Sequence, residues 1–152
     1  MTEVSSGQPT GKAVNHWAFH CAISQDKSIR IDPSPSADLS LVVIVSAEDY
    51  PYAYNAVKVA KLNTIDLTIG GFINLLVAQK YDKYQFTPNG VGCRYWVSCV
   101  MKLLRTEGKL TDDAEVQAVN DAMRITWGGD EQPLPAYQHT QIEEGRFFAL
   151  SE

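Results

Sequence analysis

Four segments in the first half of the chain have the apolar pattern of β-strands. The first, residues 14–23, alternates so that Trp17 and Cys21 share one face while His16 and His20 share the other. Three further strands are predicted from shorter apolar runs bounded by turn residues, at 28–32, 39–47 and 56–62. Because short returns link these segments, we expect an antiparallel meander.

The second half of the chain has helical periodicity. Three helices are predicted, over residues 65–81 with Thr64 as N-cap, over 93–104 with an end near Gly108, and from a capping box at Asp112 and Glu115 to about Thr126. The buried stripe of the second helix is predicted to consist of Trp96, Val97, Val100, Met101 and Leu104. Four strands followed by three helices predict an α+β domain with an antiparallel sheet.

The ends of the chain differ in composition from this predicted domain, which spans residues 13–127. Residues 1–12 are polar and predict a flexible N-terminal arm. Residues 128–152 are rich in glycine and proline but contain the apolar "RFFAL". We expect this C-terminal extension to dock either on its own domain or on a second copy. The second alternative predicts a homodimer with contacts at Phe147, Phe148 and Leu150.

Composition and charge narrow the class of protein. A chain of 152 residues with 45% hydrophobic residues can bury a single core. A formal net charge of -5 with no dense basic cluster argues against a nucleic-acid partner. We find no membrane span and no classical secretion signal, and therefore expect a cytoplasmic protein, with unconventional release left open. The odd number of cysteines favours reduced thiols over a disulfide framework, and no cofactor is expected.

Cys93 is the strongest candidate for chemistry. It follows Gly92 at the predicted start of the second helix, where backbone N–H groups and the helix dipole favour a thiolate. It precedes Trp96 and Val97 by three and four residues, so it lies on the stripe that faces the sheet. A nucleophile there could meet His16 or His20. The alternative is that Cys93 packs as a small hydrophobic residue.

Other polar and aromatic residues have both functional and structural interpretations. The two histidines could be half-buried strand residues, and a zinc site built from them and Cys93 lacks any compact ligand spacing. Tyr50, Tyr52 and Tyr54 alternate in "DYPYAY" and could bind a sugar or a partner protein, or could cover a sheet edge. The candidate binding residues are these three tyrosines with His20 and Trp96.

Two resemblances rest on "NHWAFHC" at 15–21 and on "GCRYW" at 92–96. The chain resembles a family of small fungal proteins of unknown function that carry Asn-His-Trp and Gly-Cys-Arg-(Tyr/Phe)-Trp motifs, over about residues 13–108. More remotely, it is similar to the lecithin retinol acyltransferase-like proteins, whose nucleophilic cysteine opens a helix in a permuted papain-like fold. That similarity implies Cys93 as nucleophile, His16 as base and Asp32 as the residue that orients His16.

Departures from the second family leave two functions open. Gly92 stands where those enzymes have Asn, and the next strand offers Arg30 and Asp32 in place of a second histidine. The first function is a non-catalytic interaction protein of fungal type, immunomodulatory or defence-related, that binds a protein or glycan partner. The alternative is a cysteine-dependent hydrolase or acyltransferase that acts on an amide or ester.

Overall fold

The protein has an α+β architecture. The structure, a computed structural model, describes the backbone of residues 2–6 and, with their side chains, residues 15–50, 56–127 and 142–148. In chain order the elements are β1 Thr2–Ser6, β2 Trp17–Ala22, β3 Ser28–Pro35, β4 Leu41–Glu48, β5 Lys58–Leu62, α1 Ile69–Ala78, β6 Tyr84–Gln85, α2 Cys93–Thr106, α3 Asp113–Met123 and β7 Arg146–Phe147. The predicted α+β class is confirmed.

The main sheet has five antiparallel strands in the order β4-β3-β2-β1-β5. The four predicted strands correspond to β2, β3, β4 and β5, and the first three form the expected meander. The prediction that the fourth continues the meander is wrong, because β5 lies at the opposite edge. β1 lies between β2 and β5 in the sheet. This strand falls within residues 1–12, for which the sequence predicts a flexible arm. Backbone pairing on both sides accounts for a strand there that has no strong apolar pattern.

The first helix begins later than predicted. Thr68, not Thr64, is its N-cap, and the Thr68 Oγ1 accepts a hydrogen bond of 2.9 Å from the Gly71 N–H. Thr64 instead forms an isolated antiparallel bridge with Leu110. The helix also ends at Ala78, before Lys80, which has a left-handed φ of 61°.

The other two helices match their predicted starts. α2 begins at Cys93, and Gly108 follows its end with a φ of 72°. The Asp112 carboxylate caps α3 by accepting hydrogen bonds from the N–H groups of Ala114 and Glu115. Glu115 does not complete a capping box, because its carboxylate accepts hydrogen bonds from Asn63 at 2.7 and 3.0 Å.

The core lies between the sheet and the helices. Phe19 of β2 contacts Phe72 of α1 and Trp96 of α2, with ring centroids 5.5 and 6.2 Å apart. The predicted stripe of α2 is confirmed, since all five of its members are fully buried: Trp96, Val97, Val100, Met101 and Leu104. This packing fixes α2 against β2, which places the N-terminal end of α2 beside the N-terminal end of that strand.

The C-terminal segment packs on its own domain at β7. Phe147 is buried, and its ring lies 4.6 Å from that of Tyr84 in β6, the strand with which β7 pairs. Phe147 is therefore an internal contact and not the dimer contact expected from the sequence. Leu150 lies outside the described residues. Among the helices of the described residues, none has the length and hydropathy of a membrane-spanning segment.

Candidate active site

Gly92 and Cys93 form the start of α2. Gly92 has a φ of 145°, and a Cβ atom there would lie 2.8 Å from the Tyr84 hydroxyl oxygen, so a side chain is excluded on both grounds. The Tyr84 hydroxyl donates a hydrogen bond of 2.8 Å to the Gly92 carbonyl. No side chain among the described residues caps the start of α2, so the positive end of the helix dipole acts on the groups around Cys93. The Cys93 side chain lies within this region, and the residue is 9% exposed.

His16 and Asp32 form an ion pair beside Cys93. His16 directly precedes β2, Asp32 lies on β3, and the His16 Nε2 is 2.5 Å from the Asp32 Oδ1. Arg30 places its Nη2 2.7 Å from the other carboxylate oxygen, and the Ser34 hydroxyl donates to the Oδ1 at 3.3 Å. The carboxylate is thus held by three groups and fixes the orientation of the imidazole.

The electrostatics of Cys93 and His16 favour a thiolate–imidazolium pair. Burial raises the pKa of Cys93, but the hydrogen bond and charge of His16, the Trp17 backbone N–H and the nearby Arg94 outweigh it, and the net pKa is lowered. Burial lowers the pKa of His16, but its hydrogen bonds to Asp32 and Cys93 raise it to about 10. Burial likewise raises the pKa of Asp32, and its bond to His16 brings the net value below the ordinary range.

Asn15, the residue before His16, is held by two hydrogen bonds to the backbone of Trp127. Its side chain donates to the Trp127 carbonyl at 3.1 Å and accepts from the Trp127 N–H at 2.7 Å. These two buried hydrogen bonds attach the residue before His16 to the segment that follows α3.

The sequence predicted no role for Trp127 or Tyr84, because both act through contacts with distant parts of the chain. The only sequence signal for the Asn15 contact is the position of an amide next to a candidate base.

His20 and Trp96 are not positioned to bind a ligand. His20 is fully buried, and within the described part of the chain neither of its ring nitrogens has a hydrogen-bond partner. Burial and the charge of Arg30 lower the pKa of His20 to about 4, although Glu48 and Asp32 oppose the shift. Trp96 is also fully buried, and its indole N–H donates to the Tyr81 carbonyl at 2.8 Å. The structure therefore does not support the expectation that these two residues form a binding surface.

The tyrosine segment is described only at its start. Tyr50, just after β4, is 46% exposed, and its carbonyl accepts a hydrogen bond of 2.6 Å from the Ser28 hydroxyl. Tyr52 and Tyr54 lie outside the described residues. Tyr50 is therefore the one of the three that can be placed on the surface.

The described residues include thiols but no cluster of metal-ligating side chains. Cys93 and Cys99 are free thiols. Among the residues that the structure describes, no group of three or more His, Cys, Asp or Glu side chains is arranged to hold a metal ion. The site brings together a thiol, an imidazole and a carboxylate, the three kinds of group that cysteine-dependent catalysis uses.

Comparison with known proteins places the chain in a family. No curated protein and no solved structure matches the chain. A family described as a domain of unknown function, DUF7770, matches residues 2–148. Since this match covers nearly the whole sequence, the chain belongs to the DUF7770 family.

Proposed function

We propose that the protein is a cysteine-dependent hydrolase or acyltransferase acting on an amide or ester. The observation that carries this proposal is the position of His16, whose imidazole is hydrogen-bonded to Asp32 and lies close enough to Cys93 for each of the two groups to shift the pKa of the other. A thiol at an uncapped helix start, next to a base that a carboxylate orients, has the arrangement of an activated nucleophile.

In the proposed mechanism the Cys93 thiolate attacks the carbonyl carbon, forming an S–C bond and moving the carbonyl electron pair onto oxygen. The N–H groups of the first turn of α2 stabilise this oxyanion. When the intermediate collapses, the bond to the leaving amine or alcohol breaks, and the leaving group takes the proton of His16. Because Nε2 is bonded to Asp32, Nδ1 is the ring nitrogen that serves Cys93 in this proposal.

The second half of the reaction releases the acyl group. Neutral His16 removes a proton from water, or from another acceptor in an acyl transfer, and the resulting oxygen attacks the thioester carbon. Collapse breaks the S–C bond and restores the thiolate and imidazolium. The side chain of His16 is 31% exposed while Cys93 is nearly covered, and in this proposal the substrate approaches the sulfur past His16.

The proposed fold relationship supports the same function. The order of the candidate residues along the elements is the one expected for a permuted papain-like enzyme. His16 precedes β2, Asp32 lies on β3, and Cys93 begins α2. The antiparallel sheet packed by α2 is compatible with that arrangement. The relationship remains part of the proposal.

Alkylation with iodoacetamide tests the function directly. We expect rapid modification of Cys93 at neutral pH, with loss of that reactivity in His16→Ala and no modification at this position in Cys93→Ser. Peptide mapping by mass spectrometry assigns each modification, and Cys99 in the same molecule is the internal reference. A Cys93 rate equal to that of free cysteine, or one unchanged by His16→Ala, would contradict the proposal.

A small activated ester tests the covalent step. With p-nitrophenyl acetate, we expect a burst of nitrophenol of about one equivalent per chain, with the acetyl group on Cys93. The burst should be absent in Cys93→Ser and in His16→Ala. Acetylation spread over lysines, with no burst, would indicate non-specific reactivity.

A second candidate, a non-catalytic interaction protein, is favoured by the exposed side chains on and after β4. This edge strand exposes the large apolar side chains of Val42, Ile44 and Val45, and Tyr50 follows it. In this proposal the strand and Tyr50 contact a partner protein or glycan. Binding to cells or glycans that persists in Cys93→Ala and fails in Tyr50→Ala would favour this candidate. Loss in Cys93→Ala with retention in Tyr50→Ala would favour the enzyme.

The homodimer is a separate proposal, now without Phe147. Phe148 and Leu150 are its remaining apolar contacts, and light scattering of the full chain gives the oligomeric state. We expect a dimer mass for the natural chain and a monomer mass for the variant carrying Phe148→Ser and Leu150→Ser. A monomer mass for both would end the proposal.

A further inference from the structure

The face of α2 that turns away from Cys93 borders two open hollows. An α-helix turns roughly 100° per residue, so Tyr95, Cys99 and Lys102 lie on the opposite side of the helix from Cys93. Each hollow has a volume of about 530 Å³, and both are lined by these three residues and Thr106. We call the two adjoining hollows the α2 groove. The groove is separate from the candidate active site.

One wall of the α2 groove is aromatic. Tyr81 and Tyr95 border the second hollow, and their rings lie 5.0 and 6.3 Å from that of Phe147. Both tyrosines are partly exposed, while Phe147 is buried behind them. Since aromatic rings pack favourably in offset or tilted arrangements, this wall suits a planar ring.

The rim of the α2 groove carries a surplus of positive charge. Lys102 and Arg105 border the first hollow, and Lys102 and Arg146 border the second, against one carboxylate at Glu144. Arg105 pairs with Asp113, whereas Lys102 forms no ion pair with any residue that the structure describes. Such a surplus in a chain of net charge -5 attracts an anion to this surface.

The thiol of the α2 groove is not a second nucleophile. Burial raises the pKa of Cys99, and a hydrogen bond from Tyr95 only partly offsets this. The sulfur therefore stays protonated near neutral pH and forms part of the floor. The groove has the features of a binding site and not those of a reactive centre.

We propose that the α2 groove binds a small aromatic carboxylate, with its ring against Tyr81 and Tyr95 and its carboxylate at Lys102. The ring fits the aromatic wall, and the ammonium donates charge-assisted hydrogen bonds to the carboxylate. This inference does not depend on the reactivity of Cys93.

Two probes of the same shape test the charge requirement. 2-Naphthoate and 2-naphthalenemethanol share the ring system, but only the first is an anion, and both are fluorescent. We expect the natural protein to bind 2-naphthoate at least about fivefold more tightly than the alcohol, the effect of one exposed charge-assisted contact. Lys102→Gln should remove this preference. Lys27→Gln, an exposed lysine in the turn before β3, is the matched control and should retain it.

Protection of Cys99 locates the bound probe. Saturating 2-naphthoate should slow the alkylation of Cys99 by about fivefold or more, since the ring would cover the floor of the groove, and leave Cys93 unaffected. The proposal is overturned by three results: no binding of 2-naphthoate, equal affinity for the two probes, or binding without protection of Cys99. A loss of preference in Lys27→Gln as large as in Lys102→Gln would also overturn it.

Discussion

Cys93 and Cys99 lie on the same helix, yet their surroundings give the two thiols opposite properties. Cys93 opens α2 beside His16, and its pKa is lowered although it is nearly covered. Cys99 lies in the middle of the helix beside Tyr95, and its pKa is raised although it is partly exposed. Exposure alone would predict the reverse order of reactivity. The comparison teaches that a charged partner at a helix terminus outweighs accessibility in setting thiolate character.

The two histidines of the same strand region repeat this contrast. His16, paired with Asp32 and Cys93, has its pKa raised to about 10, whereas the buried His20 has its pKa lowered to about 4. Both lie on the same face in the alternation of the sequence. The difference comes from their partners, because an imidazolium next to an anion is stabilised and an imidazolium buried beside Arg30 is not.

The largest expected effect is on the pH dependence of alkylation. Between pH 8 and pH 6 the rate for a thiol of ordinary or raised pKa falls about 100-fold, because only the thiolate reacts. We expect the rate of Cys99 to follow this fall and the rate of Cys93 to fall much less. The ratio of the Cys93 rate to the Cys99 rate should therefore rise by up to about 100-fold between pH 8 and pH 6. Peptide mapping at each pH measures both rates in one sample, and protein unfolded in guanidinium is the control. A ratio that does not change with pH would erase the contrast between the two cysteines.

Local sequence patterns predicted the position of Cys93, and a resemblance supplied the residues that support it. Helical periodicity and the preceding glycines are local signals, and they placed Cys93 correctly at the start of α2 and on its buried side. The Asp32 contact with His16 was expected from a resemblance, not from periodicity, and the structure contains it.

The remaining features depend on contacts that no local pattern encodes. β1 is held by backbone bonds to β2 and β5, and such pairing leaves no side-chain signature in a short polar segment. The Asn15–Trp127 contact joins residues 112 positions apart. The burial of His20 depends on how both faces of the sheet are covered, which alternation along one strand does not specify.

The next effect concerns stability and tests the histidine contrast. A folded-state pKa of about 4 for His20, below its unfolded value of 6.5, means that the unfolded chain binds the extra proton as the pH falls. Stability is therefore retained above about pH 6.5 and lost as the pH falls from there towards 4. Because of His20, the unfolding free energy should be about 2 kcal/mol lower at pH 5 than at pH 7.

His20→Leu isolates that contribution, because it removes the titrating group and keeps a side chain of similar volume. We expect the unfolding free energy of the variant, from urea titrations, to fall about 2 kcal/mol less than that of the natural protein between pH 7 and pH 5. The comparison is made within each protein across pH, so a change in absolute stability at pH 7 does not affect it. Parallel losses in the two proteins would show that His20 is protonated in the folded state.

A smaller effect is expected from Asp32→Asn, which tests the support of His16. The neutral amide no longer stabilises the His16 imidazolium, so the Cys93 thiolate loses part of the positive charge that stabilises it. We expect the alkylation of Cys93 at pH 6 to slow by about tenfold, while the rate of Cys99 is unchanged. Asp38→Asn is the matched control, since the pKa of this exposed aspartate is also lowered, to about 2, but by Ser36 and Ser40. Equal slowing in both variants would point to a general effect of charge.

The smallest effect is expected at Cys99, where Tyr95→Phe removes one hydroxyl. The Tyr95 hydroxyl donates a hydrogen bond to the Cys99 sulfur, and this bond favours the thiolate form of Cys99. The same bond disfavours loss of the phenol proton and raises the pKa of Tyr95 to about 12. Without the hydroxyl, burial and the charge of Glu144 raise the pKa of Cys99, and only the charge of Lys102 opposes them. The alkylation of Cys99 at pH 8 should therefore slow by no more than about threefold, the contribution of one partly exposed hydrogen bond. Cys93, on the opposite side of the helix, should keep its rate. A gain in Cys99 reactivity would mean that the tyrosine shields the thiol more than it stabilises the thiolate. The second cysteine would then owe its inertness to steric cover, and the contrast with Cys93 would no longer be one of charge.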